Sequence, residues 1–83
     1  MTTITKDSES LYTLNVDGIQ VGVAFSDLSS KVTIMTRPSG KGMFTGRSFH
    51  GSSRQEQLVE ACEGYDDRSV KRALRALVSS LLP

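Results

Sequence analysis

The sequence predicts an α+β domain: a four-stranded antiparallel β-meander followed by two C-terminal α-helices packed on one of its faces, in the order ββββαα. Three observations predict it. Asp17-Gly18 stands between two alternating runs, a Gly/Ser-rich break separates two further extended stretches, and after Gly51 the apolar period lengthens from two to about 3.6 residues.

The first hairpin is defined by its turn. Asp-Gly suits a two-residue type I′ loop, in which both central residues take positive φ. With Asp17 and Gly18 as that loop, Val16 lies opposite Ile19, Leu14 opposite Val21 and Tyr12 opposite Val23, so the apolar pairs share one face. Thr13, Asn15, Gln20, Gly22 and Ala24 fall on the other. That second face carries no aromatic ring, which argues against a base-stacking platform for single strands there.

Ser26–Ser30 reads as a connection and Lys31–Thr36 as a third strand. Arg37-Pro38-Ser39-Gly40-Lys41-Gly42 then interrupts, since Pro38 lacks a backbone donor and the glycines permit turn dihedrals. A fourth strand runs from Met43 to about Phe49. Phe44 and Phe49 have opposite parity, so burying both on one face calls for a bulge near Gly46. Residues 1–9 are expected to form a flexible or edge segment.

Ser53 with Glu56 three residues later matches a capping box and starts a helix near Arg54. Leu58, Ala61, Cys62 and Tyr65 recur at helical spacing, and Gly64 marks the stop. Asp66 and Asp67 suit the positive N-terminus of a second helix. Its apolar stripe is Val70, Leu74, Leu77, Val78 and Leu81, ending at Pro83.

An 83-residue chain suggests a single domain over 1–83, small enough that its core alone gives modest stability. One cysteine excludes an internal disulfide, and one histidine with it cannot supply four ligands to a structural zinc, which leaves homo-oligomerisation as the supplement. No apolar run is long enough to span a membrane and no leader-type apolar segment opens the chain, so a cytoplasmic protein is expected. A net charge of +1 lacks the overall basic excess of a dedicated nucleic-acid binder.

Enzyme signatures are missing. The sequence has no Gly-x-Ser-x-Gly elbow, no phosphate-binding loop and no His-Glu-x-x-His pair. Cys62 sits in an apolar stripe, where thiols usually pack rather than react, and His50 stands beside Gly51 without an evident partner. No catalytic residue, metal ligand or cofactor is therefore expected.

Two basic groups remain as binding candidates. Arg68, Lys71, Arg72 and Arg75 occupy one sector of the second helix, opposite the apolar stripe, as a solvated face or as a contact for an anionic partner. Arg37, Lys41 and Arg47 cluster around a Gly-rich hairpin suited to following a groove or a phosphate backbone. The function expected is that of a small non-catalytic binding protein occupying a surface of a protein or nucleoprotein partner. The alternative is a nucleic-acid-binding module using both basic groups. In size and element order the whole chain resembles the small phage or mobile-element inhibitors of host machinery, anti-CRISPR proteins among them, which implies inhibition by occlusion. Phe44 to Cys62 also resembles the three-strands-and-a-helix DNA-binding modules of plant transcription factors and integrase arms.

Overall fold

A β-branched segment with one large apolar side chain, Thr2-Thr3-Ile4-Thr5-Lys6, opens the sheet rather than trailing from it. The computed structural model describes residues 2–81. Its strands are β1 (Thr2–Lys6), β2 (Leu11–Val16), β3 (Ile19–Ser26), β4 (Lys31–Pro38) and β5 (Thr45–His50). The helices are α1 (Arg54–Gly64) and α2 (Arg68–Leu81). The five strands form one antiparallel sheet in sequence order. The count of four expected from sequence is thus corrected to five: the N-terminal segment is an edge strand, placed by Ile4 opposite Leu14 and packed against the core.

The Asp17-Gly18 turn has the register its chemistry dictates. Val16 pairs with Ile19, Leu14 with Val21 and Tyr12 with Val23, while Asp17 and Gly18 take φ of 47° and 79°. The connection after β3 is a 3-10 turn at Asp27–Ser29, closed by Ser30 in the left-handed region. No bulge forms at Gly46. Lys31 through Thr36 pair without slip against His50 through Thr45, so Phe49 faces the helices opposite Val32 and Phe44 precedes the strand. The parity conflict is resolved by where β5 begins. Arg37 and Pro38 extend β4 beyond the predicted Thr36, at the edge of the turn.

Both helices pack on one face. Tyr12, Leu14, Val21, Val23, Val32 and Ile34 meet Leu58, Ala61, Val70, Ala73, Leu74 and Leu77 in a single buried core. Val78 and Leu81 are partly buried against it; Met1, Leu82 and the predicted stop at Pro83 lie outside the described residues. No helix among the described residues is long and apolar enough to cross a membrane.

Local chemistry fixes the helix ends. Ser53 Oγ accepts from the Glu56 amide at 3.1 Å, but the Glu56 carboxylate accepts from the Ser52 hydroxyl, so only half of the predicted capping box forms. Asp67 Oδ1 accepts from the amides of Ser69 (2.8 Å) and Val70 (3.1 Å), capping α2. α1 does end at Gly64. The glycine is not there for a left-handed cap, because it is absent from the positive-φ residues and the following Tyr65 is extended. It is there for space, since a Cβ on Gly64 would lie 2.4 Å from Phe49 Cε2.

At the opposite end Arg54 joins three segments. Its guanidinium donates to both Asp27 carboxylate oxygens (3.1 and 2.8 Å) and to the Glu9 carbonyl (2.8 Å), and lies 4.6 Å from the Phe25 ring centroid. The hydrogen-bonded guanidinium holds the Asp27 carboxyl below its ordinary range.

Candidate functional site

The amphipathic period of α2 places Arg68, Lys71, Arg72 and Arg75 together, and they line one shallow concavity on the side away from the core. They are not equivalent. Lys71 Nζ donates to the Cys62 carbonyl at 2.6 Å, in the last turn of α1 where orphan carbonyls favour a cation. Arg72 pairs with Asp17 Oδ2 at 2.9 Å, and the Ser69 hydroxyl donates to the same oxygen at 2.8 Å. The Ser69 hydrogen bond and the Arg72 charge lower the Asp17 carboxyl below its ordinary value. Lys71 therefore ties α2 to α1, and Arg72 ties α2 to the β2–β3 turn. Arg68 and Arg75 are exposed and make no hydrogen bond or ion pair among the described residues.

The basic hairpin does not assemble as one patch. Arg47 pairs across the ladder with Ile34, so its side chain lies on the helix-covered face; Arg37 pairs with Gln20 and lies on the open face. Arg47 donates to the Gly64 carbonyl at 2.5 Å and stands 5.2 Å from the centroids of both Phe49 and Tyr65. Arg37 Nε donates to Gln20 Oε1 at 2.9 Å, and its guanidinium lies 4.3 Å from the Phe44 ring centroid. Lys41 is exposed in the turn, making no side-chain bond among the described residues.

The same end of the molecule holds a feature that sequence reading missed. An apolar cleft of about 310 Å³ opens between the β4–β5 hairpin and the α1–α2 connection, with Ile19, Pro38, Met43, Tyr65 and Val70 in its lining. Met43 is 89% exposed and Phe44 40% exposed. Met-Phe directly after a glycine turn was the available signal, but exposure followed only from β5 beginning at Thr45.

Besides Lys31, Met35 and Arg37 of β4, the open face of the sheet carries the small or uncharged polar groups Thr13, Asn15, Gln20, Ala24, Thr33 and Ser48. Thr33 and Ser48 share a hydrogen bond at 3.1 Å, and Met35 lies over Gly22. His50, opposite Lys31, is on this face, whereas Cys62 belongs to α1 beyond the other face. The two are separated by the sheet and form no pair. Among the described residues no group of three or more His, Cys, Asp or Glu side chains converges as a metal site.

Cys62 is half-buried, and burial pushes its thiol up. Alkylation of the folded protein at pH 8 is therefore expected to be slower than that of a free cysteine. Unfolding in denaturant should restore the ordinary rate, and equal rates in the two states would contradict the packing assigned to this thiol.

With this geometry in hand, comparison with protein-family models, curated proteins and solved structures returned no match.

Proposed function

We propose that this chain is a non-catalytic binding protein that works in the cytoplasm by occupying a surface of a protein partner, and that the β4–β5 hairpin end is its contact. The observation that carries this reading is the exposure of Met43 and Phe44, flanked by Arg37 and Lys41, beside an apolar cleft. Methionine, aromatic and arginine side chains are the types enriched where protein interfaces concentrate their binding energy. Inhibition by occlusion, as phage and mobile-element inhibitors practise it, is the mode that size and layout suggest.

Nucleic-acid binding is the second reading, and it is favoured by one observation: Arg68 and Arg75 are exposed and make no hydrogen bond or ion pair among the described residues. A single experiment separates the two. The tagged chain is used to capture partners from its native host with and without nuclease, and the captured complex is then titrated with salt. Met43→Asp combined with Phe44→Ala should abolish capture while leaving the circular dichroism spectrum intact, because exposed changes usually cost little stability. Arg68→Glu with Arg75→Glu should leave capture largely unchanged. Capture that disappears with nuclease, follows a steep salt dependence and is lost in the arginine variant would instead establish the nucleic-acid reading.

A further inference from the structure

We propose that the free edge of β5 pairs antiparallel with β5 of a second copy of this chain, about a two-fold axis through Ser48, so that two five-stranded sheets become one. The inference starts from the phase of the β4–β5 ladder. The Gly51 amide donates to the Ser30 carbonyl at 3.2 Å, and in an antiparallel pair the residues that exchange hydrogen bonds recur at every second position. Phe49, Arg47 and Thr45 therefore bond to Val32, Ile34 and Thr36. The N–H and C=O groups of Gly46, Ser48 and His50 point outward, and outside the ladder no backbone bond among the described residues uses them.

The one charge that could guard this edge, Arg47, is turned to the helix-covered face and held by the Gly64 carbonyl and the Phe49 and Tyr65 rings. The strand has no proline, bulge, lysine or acidic residue, and two of its three outward positions are Gly46 and Ser48. β1, the other edge, carries Lys6, paired with Glu9, at its end.

The register follows from three conditions. A continuous pleat needs opposed residues on the same face, so the axis must pass through a residue and not between two. Centring on Arg47 would set two guanidiniums directly opposite each other, a repulsive arrangement, and would use fewer of the outward groups. Centring on Ser48 pairs Gly46 with His50 of the second copy, Ser48 with Ser48, and His50 with Gly46, so each outward group is satisfied. It also sets Arg47 against Phe49 of the second copy, twice, in the closer non-hydrogen-bonded positions where cation and ring attract. The net charge of +1 adds little repulsion.

Sedimentation equilibrium of the full chain should show a monomer–dimer equilibrium, and hydrogen exchange at the Gly46, Ser48 and His50 amides should slow as concentration rises. Ser48→Pro removes an outward donor that the β4 ladder does not use, and the variant should be a folded monomer. In a Cys62→Ala background, Ser48→Cys should form a disulfide-linked dimer on mild oxidation, since Cα atoms of a hydrogen-bonded pair lie about 5.5 Å apart. If the proline variant fails to fold, amide exchange in the unmodified chain decides. A chain that stays monomeric at millimolar concentration overturns the proposal, as does a dimer that survives Ser48→Pro, leaves the Ser48 amide unprotected or fails to link through Ser48→Cys.

Discussion

Leu74→Ala is expected to lower stability by about 2–5 kcal/mol, the range for removing a fully enclosed leucine from a close-packed core. Leu74 has no solvent exposure and belongs to the single core cluster built by both helices and the sheet. A domain of this length has a total stability of only roughly 4–12 kcal/mol, so the loss takes a large share of it. Urea titration followed by circular dichroism should show a much lower midpoint at similar slope. Leu74→Met, which keeps the volume, should cost less than about 1.5 kcal/mol. If alanine and methionine cost the same small amount, α2 repacks freely and the core is looser than described.

Gly64→Ala should destabilise by about 1–3 kcal/mol, even though alanine is the better helix former by about 1 kcal/mol. The added methyl would sit 2.4 Å from Phe49 Cε2 and 3.0 Å from Cζ. The ring cannot swing away cheaply, being held by the Tyr65 ring at 5.8 Å, by the Arg47 guanidinium and by the pairing of Phe49 with Val32. A double-mutant cycle isolates the cause. In a Phe49→Leu background the same alanine should be neutral or stabilising, because the clash is gone and the helical preference remains. Equal destabilisation in both backgrounds would show that backbone conformation, and not the ring, selects glycine.

The parts of this fold legible in the sequence are those where two independent signals coincide. Asp17-Gly18 and the alternation of Tyr12–Val23 demand the same register, and Ser53 and Asp67 stand just ahead of helical apolar periods. β1 was not legible because Ile4 is its one large apolar residue and Thr2, Thr3 and Thr5 suit a strand or a loop equally. Arg37 and Arg47 are near in sequence, yet their faces depend on how β4 pairs with its two neighbours. Periodicity placed Arg68, Lys71, Arg72 and Arg75 on one face of α2. It could not show that Lys71 reaches the carbonyl of Cys62, or that Arg72 and Ser69 hold Asp17 across 55 and 52 residues.

Because each strand pairs only with its neighbours in the chain, the sheet is assembled from contacts of short sequence separation, a topology that favours rapid folding. The cover arrives late. Synthesis proceeds from β1 towards α2, so the apolar face of the sheet emerges before the helix that encloses much of it, and a nascent chain presents Leu14, Val21 and Val23 to its surroundings until α2 has left the ribosome. The link from Asp17 to Ser69 and Arg72 closes only then. Asp17→Asn shows when the link forms: faster unfolding at an unchanged folding rate marks a contact made after the folding barrier, and slower folding marks one made before it.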